Sequence, residues 1–324
     1  MKTSTKKQTS LVAYAFARAA IKRDMGKYST AELYEVTARH FKRFLDGRSC
    51  KPANLTITLV NDFSCYLQTK GLKRNSINSY LSCLRAIYNA ALSEHLVPKG
   101  QDNPFMRYRF KRESTPKKAL PMKELQRLAE QGSSDSPDEQ KAIALALFSF
   151  SAFGMPFIDV AHLRKSNLQG DELCYQRHKT GISIRIGLTP GMRYYIQRYA
   201  DPNSPYLFPM GQSPTGEPFT HAAYKRLLAE HNRLLQQVGK RLGLAQPLTS
   251  YVMRHSWASI ALANEMPVAM ISQALGHTSE ATTRSYLKRI DQSALDKANA
   301  DIIRGIEKII ISKGKKLLTS GISQ

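Results

Sequence analysis

Residues 248–287 read LTSYVMRHSWASIALANEMPVAMISQALGHTSEATTRSYL, and the interpretation of the whole chain depends on them. Arg254 opens an apolar helical pattern, the pair Gly276-His277 closes a second one, and Tyr286 follows nine residues after the histidine. An arginine and a histidine can hold a phosphate group, and a tyrosine can attack one. A phenol with a pKa of about 10 is a poor nucleophile at neutral pH unless cations stabilise the developing charge. The stretch therefore predicts a phosphate site with a nucleophile beside it.

The same stretch resembles the C-terminal box of the tyrosine recombinases, also called phage integrases. Their pattern is His-x-x-Arg-His-(Thr/Ser), then a helix, then Leu-Gly-His-x-x-x-x-Thr-Thr-x-x-Tyr; here the halves read YVMRHSW and LGHTSEATTRSY. The resemblance implies that Tyr286 is the nucleophile and that Arg254 and His277 contact the scissile phosphate. It also implies that His255 supports the site without touching the substrate. Tyr251 stands where the family has its first histidine; we expect it to orient the phosphate, with plain packing as the alternative.

Length and charge are consistent with a protein that binds DNA. The chain has 324 residues, enough for two domains of ordinary size, and a formal net charge of +23. Residues 1–118 hold 23 Lys and Arg against 8 Asp and Glu, so the excess is concentrated there. Such a charge usually marks a polyanion partner, although a basic protein with solvated lysines is the simpler alternative. We expect the N-terminal third to follow a DNA backbone.

Other features of the composition exclude several classes of protein. The four cysteines form no Cys-x-x-Cys pair, and no group of carboxylates suggests a two-metal site, so neither a metal nor another cofactor is predicted. No apolar run approaches the roughly 20 residues of a membrane span, and no signal peptide is evident. We expect a cytoplasmic protein bound to DNA and not to a membrane.

Residues 1–98 predict a helical DNA-binding domain. Apolar residues recur at helical spacing in four segments joined by short connections. The phrase RNSINSYLSCLRAIYNAAL, residues 74–92, is typical of the last helix of the SAM-like core-binding domain of the recombinases. Five residues are candidate phosphate contacts, each with a solvated surface position as the alternative: Lys70, Lys73, Arg74, Asn75 and Arg85.

Residues 99–116 are rich in proline, glycine and charge, which predicts a linker between two domains. The basic and aromatic segment RYRFKR, residues 107–112, is a candidate to lie along DNA. A plain exposed linker is the alternative.

Residues 117–324 predict a mainly helical catalytic domain with a small antiparallel β-sheet, an α+β arrangement. The apolar run EQKAIALALFSFSAFG indicates a buried helix, and ELCYQRHKTGISIRIGL alternates as a β-hairpin does. The family places a general-acid lysine in such a hairpin, and Lys179 matches it by position, with a surface turn as the alternative. Residues 301–318 predict a tail helix that in family members packs on a neighbouring protomer.

One family position is not filled. Family members commonly read Gly-Leu-Arg in the stretch that begins at Gly154, and the alignment places Pro156 where the first catalytic arginine belongs. Either another cation substitutes for that arginine or the chemistry is weakened. The cations nearest in sequence occupy no motif position: Arg164, Lys165 and Arg177.

The resemblance implies a site-specific DNA recombinase acting in integration, excision or inversion. Such an enzyme cuts and rejoins double-stranded DNA through a 3′-phosphotyrosine intermediate and a Holliday junction, without ATP. Family members work as four protomers on two duplexes, and accessory DNA-bending proteins are further candidate partners. Two alternatives are a type IB topoisomerase and a catalytically impaired DNA-binding regulator, the latter favoured by Pro156 and Tyr251.

Overall fold

The chain divides into two compact units, residues 1–116 and residues 117–324. The computed structural model describes residues 9–110, 113, 119–130, 136–211, 220–281 and 283. The predicted fold class, mainly helical with a small antiparallel sheet, is confirmed. Within the described ranges, no helix combines the length and the apolar character that a membrane span requires.

Among its described residues, the first unit is built from four α-helices whose apolar faces meet in one core. They are α1 (Leu11–Asp24), α2 (Tyr28–Leu45), α3 (Ile57–Thr69) and α4 (Arg74–Ser93). The hydroxyl of Ser10 accepts from the amide of Ala13, which satisfies an N–H group that the start of α1 leaves open. At the centre of the core, the rings of Phe41 and Phe63 meet edge to face with centroids 5.1 Å apart.

The described part of the predicted linker packs on this same core. Phe105 is buried within it, and Tyr108 and Phe110 pack against its edge. Burial of aromatic side chains contributes strongly to packing, so these residues belong structurally to the first unit.

The described residues of the second unit form a set of helices, one of which is buried at the centre of the others. They are α5 (Met122–Glu130), α6 (Pro137–Ser151), α7 (Phe157–His162), α8 (Pro190–Tyr199), α9 (His221–Arg241), α10 (Ser250–Ala263) and α11 (Val268–Ala274). As the apolar run predicts, α6 is buried from Ala142 to Ser149, and it contacts α5, α7, α8, α9 and α10. Because α6 is apolar on all sides, it can serve as the centre around which the other helices pack.

The described part of the second unit also contains a three-stranded antiparallel sheet. Its strands are β1 (Leu168–Gln169), β2 (Glu172–Gln176) and β3 (Ser183–Gly187), in the order β1-β2-β3. In β3, Ile184 and Ile186 point to the core while their neighbours are exposed, as period-two alternation predicts. The hairpin between β2 and β3 is thus anchored by its inner face, and its turn carries Lys179.

The core of the first unit gives a test of this packing. Leu81 of α4 is fully buried, whereas Leu92 on the same helix is 37% exposed. We expect Leu81→Ala to lower the unfolding free energy by about 2–5 kcal/mol and Leu92→Ala by less than about 1 kcal/mol. Native-state hydrogen exchange of the α4 amides measures both changes. Equal losses would show that Leu81 is not a core residue.

Candidate active site

Arg254 lies near the start of α10 and is buried, with 4% of its surface exposed. Its guanidinium donates to the carbonyl oxygen of Gly154 at 3.2 Å and to that of Leu275 at 2.6 Å. The terminal nitrogen that contacts Leu275 also lies 3.1 Å from Nε2 of His277. A buried charge is costly unless it is hydrogen-bonded, so these contacts account for its position. Arg254 joins α10 to the turn after α6 and to the turn after α11.

The turn after α6 can approach Arg254 only because residue 154 is a glycine. Gly154 has a φ of +65°, in the left-handed region, and a Cβ built on it would lie 2.6 Å from Cα of Arg254. No real Cβ tolerates that separation from backbone. The carbonyl of Gly154 is consequently brought within hydrogen-bonding distance of the guanidinium.

His277 is positioned by the end of α11. The amide of Gly276 donates to the carbonyl of Gln273 at 2.9 Å, and the amide of His277 donates to that of Ser272 at 3.1 Å. These two bonds, with Gly276 at a φ of +61°, form a Schellman motif. The imidazole is therefore held by a helix end rather than by a free loop.

The contacts of His277 fix its tautomer. Nε2 lies 3.1 Å from Arg254, and Nδ1 lies 2.7 Å from the hydroxyl of Thr283, which is fully buried. A guanidinium only donates, so Nε2 accepts from Arg254 and Nδ1 carries the proton that it donates to Thr283. Burial lowers the pKa of His277 to about 4, and the charges of Arg254, Arg177 and Lys179 add to this effect. His277 is neutral at pH 7 in this arrangement.

Lys179 stands on the hairpin turn and is exposed. Its charge is among those that lower the pKa of His277. The hydroxyl of Thr180 donates to the carbonyl of Gly276 at 3.3 Å, which joins the hairpin to the turn after α11. The structure thereby brings Arg254 and His277 into contact and places the turn that carries Lys179 next to Gly276; these are three of the five predicted catalytic residues.

Sequence reasoning named Arg177 only as a nearby cation outside the motif, whereas the structure places it as a second buried arginine at this site. Arg177, at the end of β2, is 6% exposed, and its Nε lies 3.0 Å from Oδ2 of Asp159 on α7. A terminal nitrogen of Arg177 donates to the carbonyl of Leu275, the acceptor that Arg254 also uses. Alternation was the available signal, because Arg177, one residue past β2, continues the period-two series of Leu173 and Tyr175.

Asp159 is the carboxylate of this cluster. Its Oδ1 accepts from the backbone amide of His178 at 2.9 Å, and the side chain is almost completely buried. Burial raises the pKa of the Asp159 carboxyl, while the amide of His178 and the guanidinium of Arg177 oppose that rise. Asp159 thus ties α7 to the hairpin through two neighbouring residues.

Pro156, at the position of the family's first arginine, is the N-cap of α7. A proline side chain has no charge and no donor, so this position contributes neither to the site. Its neighbours nevertheless take part, because Gly154 accepts from Arg254 and Asp159 contacts Arg177.

Tyr251 and His255 lie one turn apart on α10. Their rings meet edge to face with centroids 4.6 Å apart, and Tyr251 is 54% exposed at the start of the helix. Its phenol is accessible from outside, as a group that orients a bound phosphate must be. The roles predicted for both residues stay predictions.

The five candidate contacts of the first unit lie around α3 and α4. Lys70 ends α3, whereas Lys73 and Arg74 begin α4. The Asn75 amide exchanges two hydrogen bonds with the backbone of Glu113, at 2.9 and 3.1 Å. The Arg85 guanidinium lies over the ring of Phe110, 4.8 Å from its centroid. Both Asn75 and Arg85 therefore contact the segment that follows α4.

Several predicted features lie outside the described residues. They are the nucleophile Tyr286, the tail helix predicted over residues 301–318, and Lys111 and Arg112 of the basic segment. Among the residues that are described, no cluster of three His, Cys, Asp or Glu side chains could hold a metal ion.

Comparison with known proteins gives two family matches. The phage integrase SAM-like domain matches residues 10–109, and the phage integrase family matches residues 118–293. The tyrosine recombinase XerC of Bacillus licheniformis is 25% identical over 281 residues, covering 82% of this chain and 87% of that protein. The tyrosine recombinase XerD of Rhizobium meliloti is 24% identical over 283 residues, covering 83% and 87%.

Solved structures share the fold. The Tn1549 transposon integrase in complex with transposon right end DNA has a TM-score of 0.65 at 18% identity, covering 91% of this chain and 99% of that one. A lambda integrase dimer bound to a COC′ core site has a TM-score of 0.64 at 17% identity, covering 87% and 98%. At these identities the likeness establishes the architecture.

The contact between Gly154 and Arg254 predicts a large difference between two glycine substitutions. Gly154→Ala should cost about 2–5 kcal/mol, from left-handed strain plus collision with backbone. Gly181 also has a positive φ, of +69°, but a Cβ there meets nothing within 4 Å. Gly181→Ala should therefore cost only about 1–2 kcal/mol. Urea unfolding followed by the fluorescence of Trp257, in the same unit, measures both; equal losses would contradict this account.

The environment of His277 predicts its titration. Its pKa is about 4 in the folded protein, against about 6.5 in an unfolded chain. Because the unfolded chain binds the proton more readily, this residue lowers the stability of the second unit as pH falls from about 6.5 to about 4. Imidazole NMR, assigned with His277→Gln, should show the Nδ1-protonated neutral ring from about pH 6.5 down to about pH 5, with protonation near pH 4. Titration of His277 near pH 6.5 would contradict the assignment.

Proposed function

Because the chain belongs to the phage integrase family, we propose that it recombines DNA at specific sites through a covalent bond to Tyr286. The observation that carries this proposal is the contact of Arg254 with His277 at 3.1 Å. His277 lies nine residues before Tyr286 in the sequence. The two nitrogen-bearing side chains converge from α10 and from the end of α11, with Lys179 beside them. This is a cationic pocket of the kind that a tyrosine nucleophile needs.

The proposed reaction exchanges one phosphodiester for another. Tyr286 attacks the scissile phosphorus as a phenolate, after its proton has passed to solvent. The new bond joins phosphorus to the tyrosine oxygen, and the bond to the 5′ oxygen of the DNA breaks. Lys179 gives that oxygen a proton, so a 5′-hydroxyl leaves. The energy of the phosphodiester is kept in the phosphotyrosine, and a 5′-hydroxyl of a partner duplex reverses the step without ATP.

Arg254 is the proposed electrostatic anchor for the phosphate. A guanidinium carries five N–H donors in a fixed plane and can contact two phosphate oxygens at once. Its hydrogen bonds to Gly154 and Leu275 fix that plane before DNA arrives. Preorganised donors of this kind stabilise a transition state without rearranging during the reaction.

His277 needs an additional proton to donate to the phosphate. In the free protein its Nδ1–H is directed to Thr283 and its Nε2 accepts from Arg254. A phosphate oxygen is an acceptor, so Nε2 must be protonated before it can contact one. A nearby anion raises the pKa of a histidine, and DNA binding therefore supplies the force that protonates His277.

Solved relatives support a proposal for the substrate and the assembly. The Tn1549 and lambda integrases were solved with DNA, and lambda integrase also as a tetramer bound to a Holliday junction. We propose double-stranded DNA as the partner and four protomers on two duplexes as the working assembly, acting in the cytoplasm. In the first unit, Lys70, Lys73 and Arg74 are the proposed backbone contacts, and accessory DNA-bending proteins are further proposed partners.

The first experiment tests the nucleophile. A nicked duplex that the protein binds specifically in gel shifts should trap a covalent complex with wild type and none with Tyr286→Phe. Tyr194 is an exposed tyrosine of the same unit, and the matched control Tyr194→Phe should trap the complex as wild type does. A denaturing gel gives the result.

Two other results would redirect the proposal. Specific binding with no covalent complex from wild type would leave a DNA-binding regulator. Relaxation of plasmids that lack the specific site would indicate a topoisomerase.

The protonation of His277 gives a second test. With Tyr286→Phe, affinity for the specific duplex should rise as pH falls from about 7 to about 5, since binding takes up a proton. Adding His277→Gln should remove the part of that slope that arises from this residue. Gel shifts at constant ionic strength measure the slope. Identical slopes for the two proteins would show that His277 is not protonated on binding.

A further inference from the structure

We propose that Arg177 supplies the second guanidinium of the phosphate site, in place of the arginine that Pro156 replaces. This inference rests on the proposed function and names a further catalytic residue for it. The cation would reach the phosphate from the β2–β3 hairpin rather than from the start of α7.

The position of Arg177 carries this proposal. Arg177 and Arg254 both donate to the carbonyl oxygen of Leu275, so their guanidinium groups lie side by side. Leu275 is two residues before His277, whose pKa both arginines lower. Arg177 thus lies next to Arg254 at the edge of the site, although it comes from a different element.

The contacts of Arg177 leave donors for a substrate. Its Nε faces Asp159 at 3.0 Å, but the two atoms form no aligned hydrogen bond. One terminal nitrogen donates to Leu275. Because a guanidinium has five N–H groups, the partners found among the described residues do not exhaust it. Asp159 acts as the positioning residue, since its charge holds the cation at the site.

The charges of the cluster also favour an anion. Arg177, Arg254 and Lys179 are three cations, whereas Asp159 is the one carboxylate among the contacts described for this cluster. Like charges held close together repel, and the repulsion is stronger in a partly buried site than in water. A phosphate group would relieve it, which is the expected property of a site built for one.

A purely structural role for Arg177 is the main alternative. A Cβ on Gly276 would lie 2.9 Å from Cγ of Arg177, so this side chain also supports the turn that carries His277. If Arg177 only supported that turn, its loss would lower the cleavage rate equally whatever the charge of the substrate. A cation that neutralises the phosphate would act only when the charge is present.

The experiment therefore changes the charge of the phosphate. Nicked duplexes would carry at the scissile position either an ordinary phosphate or a methylphosphonate, in which one charged oxygen is replaced by an uncharged methyl group. Covalent-complex formation would be followed for wild type, Arg177→Gln and Arg177→Lys. The control is Arg185→Gln, which removes an arginine of the same hairpin that is 73% exposed and paired with Glu172 at 2.5 Å.

On phosphate, Arg177→Gln should lower the cleavage rate by about 10²–10³-fold, and Arg177→Lys by less because it keeps a charge. On methylphosphonate, Arg177→Gln should cleave at a rate within about tenfold of wild type, since no full charge remains to be neutralised. Arg185→Gln should match wild type on both substrates. Thermal unfolding and gel shifts establish that each variant is folded and binds DNA.

The outcomes separate this inference from the proposed function. If wild type forms no covalent complex on phosphate, the recombinase proposal fails. If wild type cleaves, then equal losses on both substrates, no loss on phosphate, or no methylphosphonate cleavage by Arg177→Gln overturns the role of Arg177. Should Arg177→Gln fail to fold, Arg177→Lys decides: a loss on phosphate that shrinks on methylphosphonate supports the role, and an equal loss overturns it.

Discussion

The second unit depends on keeping one guanidinium bonded in a buried position. Arg254 could not stay buried without its carbonyl partners, because an uncompensated buried charge costs several kcal/mol. Those partners come from turns that only glycine allows, at Gly154 and beside Gly276. Three helices and a hairpin are thereby fixed around a point where positive charge collects. The same contacts serve folding and the geometry of the site.

Much of this arrangement could be predicted from the sequence. The spacing of Arg254 and His277 identified the centre, and strict alternation located the hairpin with Lys179 on its turn. Arg177 and Asp159 could not be paired in this way, since they lie 18 residues apart on different elements and meet only in the folded chain. Their pairing depends on strand and helix packing that no local pattern records.

The position of a cation matters more than the segment that carries it. A phosphate spreads its charge over its non-bridging oxygens, so a guanidinium can approach from more than one side. Here the start of α7 carries Pro156, while the carboxylate of Asp159 on the same helix holds Arg177 of the neighbouring strand. Compared with the family motif position by position, the sequence lacks an arginine at Pro156. In the folded chain, Arg177 contacts Asp159, three residues after Pro156.

The hairpin carries both Arg177 and Lys179, separated by a single residue. Any movement of this one turn would remove the proposed charge stabilisation and the proposed proton donor together. The two groups therefore depend on the position of one short stretch of backbone, which Thr180 joins to Gly276.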